Sequence, residues 1–123
     1  MSENISDKVL IEASDHILTI TFNRPEKMNA LDPESFYLLA QALYRLHTED
    51  DLRVGIIQAN GPHFTAGLEL EKWAPIFAKG TVPELPQGHI DPYGINGEKL
   101  SKPLVMAVQG ICYTSGLELL LNT

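Results

Sequence analysis

Long apolar runs, basic charge and cysteine are all scarce in this sequence, and each scarcity removes a class of function. No apolar stretch approaches the ~20 residues that a transmembrane helix needs, and the start of the chain, Met1 to Lys8, is polar and acidic. No membrane is therefore expected among its partners, and the cytoplasm is the expected location. Nine basic residues stand against sixteen acidic ones, a formal net charge of -7. Phosphate backbones are gripped by clustered Lys and Arg, so no nucleic-acid partner is expected either. The single cysteine, Cys112, has no partner for an internal disulfide and no ligand cluster around it, so it reads as a small buried hydrophobe and no metal site is expected. What remains is a 123-residue chain with 44% hydrophobic and 20% charged residues, the composition of one globular domain with a packed core.

The order of elements follows from local pattern. "KVLIEAS" (Lys8 to Ser14) and "HILTITFN" (His16 to Asn23) are β-branched runs on either side of Asp15 and predict an antiparallel hairpin. "NRPEKMNAL" follows as a loop, because Pro25 removes a donor and keeps Arg24 extended. Asp32 before Pro33 is a helix-opening pair, and Phe36, Leu39, Ala40, Leu43 and Leu46 recur at the spacing of one buried helix face. "LRVGIIQAN" (Leu52 to Asn60) predicts a strand buried on both faces, ended by Gly61-Pro62. A glycine-containing loop then leads to a short helix expected from Leu68 to near Gly80. The segment from Thr81 to Gly97 is rich in Pro and Gly without a sustained period and predicts a mobile, surface-covering loop. "KPLVMAVQG" (Lys102 to Gly110) predicts a further buried strand before a closing turn and helix.

Two stretches share one layout, "IIQANGPHFTAGLEL" and "VMAVQGICYTSGLEL": an apolar strand, a small-residue turn, then a helix start. Backbone N–H groups at a helix start have no intrahelical acceptor and lie at the positive end of the dipole. Two such turns facing each other would hold one oxyanion, although strand-turn-helix units are also common as plain connections. Glu118 has two readings at this point. Ser115-Gly-Leu-Glu118 fits the S-x-x-E capping box, in which the glutamate is tied back to the cap, and spacing by itself favours that reading over a carboxylate that moves a proton.

Three motifs in order carry a resemblance. "FNRPEKMNAL", "HFTAGLEL" and "KPLVMAVQGICYTSGLEL" are similar to the early motif, the F-x-A-G-x-D/E loop and the K-P-V-I-A-A-V-x-G strand and turn of the crotonase (enoyl-CoA hydratase/isomerase) superfamily. The resemblance implies an α/β fold of repeated β-β-α units, the ClpP/crotonase-type spiral. Residues 1–123 would form the N-terminal part of a single such domain, incomplete at the C-terminus and with little or no activity of its own. It implies an acyl-CoA thioester as substrate, coenzyme A entering only as part of it and no separate cofactor. It also implies enoyl-CoA hydration, with isomerisation, hydrolysis or non-catalytic acyl-CoA binding as alternatives. The parent is expected to be a homotrimer or a dimer of trimers.

Residue by residue, the resemblance places the oxyanion hole at the backbone N–H groups of Leu68 and Ser115 and a catalytic glutamate at Glu118. Lys27, Met28 and Ala66 match positions along the bent CoA. Arg24 is a further candidate for the CoA phosphates, and Gly67, Glu69 and Leu70 complete the expected binding loop, with Glu69 at the acidic position of its motif. Glu71 reads as a helix-dipole residue, and His47 and His63 as ordinary histidines without a Ser or Cys partner at motif spacing. Ser115 does not read as a nucleophile, because Tyr113 and Leu117 stand where a G-x-S-x-G elbow needs glycines. Relatives commonly carry a glycine run in the second turn, whereas this chain has Thr114-Ser115-Gly116, which is expected to narrow the site or shift its donor.

Overall fold

The computed structural model describes residues 6–80 and 85–123. Strands β1 (Val9–Ser14) and β2 (Ile17–Phe22) form the predicted hairpin, paired antiparallel with Ser14 opposite Ile17. Asp15 and His16 between them both adopt positive φ, 52° and 68°, the mirror-image turn whose twist matches that of the flanking strands. After β2 a short 3-10 turn (Pro25–Lys27) leads to helix α1 (Pro33–Thr48). Its N-cap is Asp32, whose carboxylate accepts the Ser35 N–H at 2.8 Å, as the Asp-Pro pair predicts.

Helix α1 carries the chain across to β3 (Val54–Ala59), which pairs parallel with β2. Helix α2 (Leu70–Phe77) and the segment after it return the chain to β4 (Leu104–Met106), parallel to β3, and α3 (Ser115–Leu121) closes the element order. The sheet order is therefore β1-β2-β3-β4. Helix α1 packs on β1, β2 and β3, and Leu39, Leu43 and Leu46 meet Leu18, Ile20, Phe22 and Ile57 in the core. Burying each of these side chains contributes about 2 kcal/mol, which is what holds the helix to the sheet.

Three expectations need correction. Strand β3 is buried on one face only: Gly55 and Ile57 are covered, Val54 and Ile56 half-covered, and Gln58 exposed. The cover comes from α1 on a single side, and Gln58 instead donates to the Thr21 hydroxyl across the sheet. Strand β4 is three residues long rather than nine, with Val105 53% exposed. Pro103 limits pairing at its start, and Gly110 turns the chain out of the sheet at φ 59°. Helix α2 starts two residues later than expected because Leu68 is held in a parallel bridge to Leu31.

The loop expected from Thr81 to Gly97 falls partly outside the described residues, at 81–84. The remainder does cover the surface but is pinned to it. Ile90 and Asp91 are buried, the Ile90 N–H donates to Ala40, and the Asp91 carboxylate accepts N–H groups from Tyr93, Ile95 and Asn96. Among the described residues no helix is long and apolar enough to cross a membrane.

Candidate active site

The site is assembled by three loops laid side by side. Asn29 lies in the loop after β2 at φ 53° and is almost fully buried. Its amide donates to the carbonyls of Asn60 and His63, and its carbonyl oxygen receives the Arg24 N–H, so one side chain staples the first loop to the second. Thr65 adds a bond in the other direction, its hydroxyl donating to the Asn29 carbonyl at 2.7 Å.

The second loop then runs parallel to the first. Leu31 donates to the Gly67 carbonyl and accepts from Glu69, both at 2.8 Å, and Ala66 donates to Met28 at 2.9 Å. In a parallel bridge of this kind the residue between the two partners turns its own N–H and C=O to the opposite side. That residue is Leu68, and its N–H donates to no backbone acceptor among the described residues.

The third loop joins on the far side through a bridge between Thr65 and Cys112. Thr65 donates to Ile111 and accepts from Tyr113, each at 3.1 Å. Gly67 faces Thr114 so closely that a Cβ at position 67 would lie 2.2 Å from the Thr114 hydroxyl. Leu68 and Ser115 follow immediately after this contact pair, one on each loop. The Ser115 N–H likewise donates to no backbone acceptor among the described residues.

The capping box expected as one reading of Glu118 does not form. The N-cap of α3 is Thr114, with no side-chain capping bond, and the Ser115 hydroxyl instead meets the Tyr93 hydroxyl at 2.5 Å. Glu118 is exposed on the first turn of α3, where its carboxylate has no hydrogen-bond or ion-pair partner among the described residues. Local sequence pattern missed Tyr93, as it missed the loop-stapling Asn29 and Thr65. Burial, together with the nearby Glu118 and Asp91 charges, pushes the Tyr93 hydroxyl above the usual tyrosine range, against the Ser115 bond that acts the other way.

The remaining candidates divide into outward and inward groups. Lys27 is exposed on the 3-10 turn, Met28 at φ 52° caps that turn, and Leu70 is 68% exposed at the start of α2. Arg24 turns inward. Its guanidinium donates to the Ala30 carbonyl and lies 2.8 Å from Glu69 and 3.6 Å from Asp32. The Glu69 contact is a charge pairing without hydrogen-bond alignment, and it fixes Glu69 in the architecture of the loop. Cys112 is half-buried rather than fully buried as expected, and burial pushes its thiol up. His63 and His47 both have structural partners, His63 with the Ile111 N–H and His47 with Ser101 and Glu98. A cavity of 980 Å³ opens beside Leu68, and its wall includes Phe36, Trp73, Phe77 and Tyr93.

The family model described as Enoyl-CoA hydratase/isomerase matches residues 12–123. The chain belongs to that family. It is 35% identical over 121 residues to the (E)-benzylidenesuccinyl-CoA hydratase of Thauera aromatica, covering 92% of this chain and 43% of that protein. It is 33% identical to an enoyl-CoA hydratase of Mycobacterium tuberculosis, covering 93% of this chain and 43% of the relative. Among solved structures, a "probable enoyl-CoA hydratase/isomerase" from Mycobacterium abscessus superposes with a TM-score of 0.82 at 41% identity, over 91% of this chain and 42% of that one. The fold is α/β and is shared with that structure, and the chain spans less than half the length of the relatives it matches.

Proposed function

We propose that the protein to which this chain belongs is an enoyl-CoA hydratase, with this chain as the N-terminal part of its single catalytic domain. The thioester carbonyl of the substrate sits between the N–H groups of Leu68 and Ser115. The observation that carries this reading is the bridge from Thr65 to Cys112, which sets the two turns side by side just before these residues. Lys27 and Met28 flank the entrance, and Ala66, Gly67 and Leu70 form the rim along which the CoA lies.

Hydration adds a hydroxyl to Cβ of the enoyl group and a proton to Cα, and the electron pair of the double bond passes transiently onto the thioester oxygen as an enolate. Fixed backbone donors oppose that charge without having to reorganise, each worth about 3 kcal/mol of barrier. The side chains of Leu68 and Ser115 then need no special chemistry. Glu118, exposed on the first turn of α3, takes a proton from the attacking water or returns one to Cα. Assembly into a trimer or a dimer of trimers belongs to the same reading, and the exposed Leu117, Leu120 and Leu121 of α3 support burial against further protein.

Glu118→Gln in the whole protein tests the assignment. Turnover of crotonyl-CoA is expected to fall by about 10²- to 10⁴-fold, the range for losing one proton-transfer group, with affinity for the ester little changed. Undiminished turnover removes Glu118 from the chemistry. Binding of CoA esters without turnover in either form favours a non-catalytic binding role.

A further inference from the structure

The chain has one Trp, four Tyr and four Phe, and they are not evenly spread. Phe36, Tyr37, Trp73, Phe77 and Tyr93 all wall the same 980 Å³ cavity, drawn from α1, α2 and the segment ahead of β4. Phe36 is the hub: it meets Trp73 edge-on at 5.6 Å and 83°, Tyr37 at 6.2 Å and 74°, and Tyr93 at 5.5 Å and 40°. Phe77 stacks on Trp73 at 5.6 Å and 17°. The indole is locked by its N–H bond to the Leu31 carbonyl at 2.8 Å, so the Trp73 ring cannot swing to fill the space.

Such a ring cluster at helical spacing could be plain core, but here it borders open volume, and Phe77 is 42% exposed. The walls present rings at steeply different angles, so a flat aryl group entering the cavity finds edge-to-face and offset-stacked partners together. A flexible alkyl chain gains only its buried area. The charged groups among the described lining residues are Asp91 and Glu98, with no Lys or Arg, which disfavours an acyl group ending in a carboxylate. Leu68 lines the same cavity, so an acyl group whose carbonyl is held at its N–H has this space ahead of it.

We propose that this cavity is an acyl subsite selective for thioesters whose acyl group carries an uncharged aryl ring, held among Phe36, Tyr37, Trp73, Phe77 and Tyr93. The inference rests on the acyl-CoA reading of Leu68 and Ser115 and narrows it to a substrate class. Calorimetric titration of the whole protein with phenylacetyl-CoA, cyclohexylacetyl-CoA and free CoA separates the two. The saturated ring has a similar footprint and greater apolarity, but it is puckered rather than flat and has no π face.

Phenylacetyl-CoA is expected to bind about five- to tenfold tighter than cyclohexylacetyl-CoA, the increment that aromatic pairing adds beyond area. Phe77→Leu, at an exposed position, should cut that ratio at least twofold and leave free CoA binding unchanged. If both esters bind better than free CoA with a ratio of one or below, the aryl subsite is overturned while the acyl-CoA reading stands. If neither ester binds better than free CoA, the acyl subsite is overturned outright; if CoA itself fails to bind, the acyl-CoA reading falls with it.

Discussion

Thr114 is held at φ 39° and ψ -101°, a conformation that β-branched residues rarely adopt, directly before one of the two proposed oxyanion donors. The strain has a local cause. The Tyr113 carbonyl must turn to accept the Gly116 N–H at 2.7 Å while Tyr113 N–H stays bonded to Thr65, and Thr114 absorbs the difference. Glycine would occupy the same backbone without a Cβ, so Thr114→Gly is expected to raise stability by about 1 kcal/mol, the relief of strain less the added freedom of the unfolded chain. A rise in the urea midpoint at constant slope would show it, and a fall would mean that the Thr114 side chain contributes more by contact than its backbone costs. Gly67 makes the complementary case. At φ 98° it lies against Thr114, and an alanine Cβ there would meet the Thr114 hydroxyl at 2.2 Å and the Tyr113 carbonyl at 3.2 Å. Gly67→Ala should therefore destabilise by about 2–3 kcal/mol. Thr114→Gly in the same chain should restore only part of that loss, because the positive φ at position 67 persists.

At the scale of elements, the N-terminus of α1 is the best-defined electrostatic feature. Burial pushes the Asp32 carboxyl up, but bonds from Lys8 at 2.7 Å and from the Ser35 N–H, with Arg24 nearby, together hold it below the usual carboxylate range. The folded chain thus binds fewer protons than the unfolded one in the window just below the ordinary Asp value of 3.8. The contribution of Asp32 is complete above that value and is lost as pH falls through the depressed folded one. Asp32→Asn should keep the cap and flatten this acid limb, whereas Asp32→Ala should also cost about 1 kcal/mol at neutral pH. Thermal unfolding followed between pH 2 and 7 distinguishes the two, and an unchanged acid limb in Asp32→Asn would remove the charge from the account. The Lys8 end of the pair works in reverse: the Asp32 bond raises its amine, so its share is present below 10.5 and fades as pH rises beyond the raised value. With Lys8 36% exposed, that share is screened by salt. This helix start was legible in the sequence because Asp32, Pro33 and the apolar spacing are all local signals. The start of α3 was not. Ser115 and Glu118 have capping-box spacing, yet the hydroxyl went to Tyr93, twenty-two residues away in sequence. Tyr93 was hidden for the same reason, since the Pro- and Gly-rich segment carrying it is ordered by Asp91 and by packing on α1 rather than by any period of its own. The two turns proposed to form the oxyanion hole lie between these cases: their motifs are local, while the Thr65–Cys112 bridge that sets them side by side is a tertiary contact.

For the whole molecule, the decisive quantity is apolar surface left uncovered. The sheet order puts β4 at an edge, and Val105 there is 53% exposed, while Leu117 and Leu121 of α3 are 51% and 79% exposed. An edge strand offers unpaired N–H and C=O groups beside these side chains, the combination that draws chains together. The net charge of -7 acts against contact, since like-charged chains repel at low ionic strength. Salt screens that repulsion within about 8 Å at physiological strength and leaves the apolar attraction in place. The 123-residue chain is therefore expected to self-associate at high micromolar concentration, and more strongly as salt is added. Had ion pairs driven association, salt would instead dissolve the assemblies. Val105→Glu with Leu121→Glu should shift the chain towards monomer at every salt concentration, because each substitution removes apolar surface and adds repulsion, while helix content stays unchanged. Sedimentation velocity across a salt series checks both. A wild-type chain that remains monomeric throughout would mean that the edge of β4 and the outer face of α3 are better protected from one another than their exposure implies.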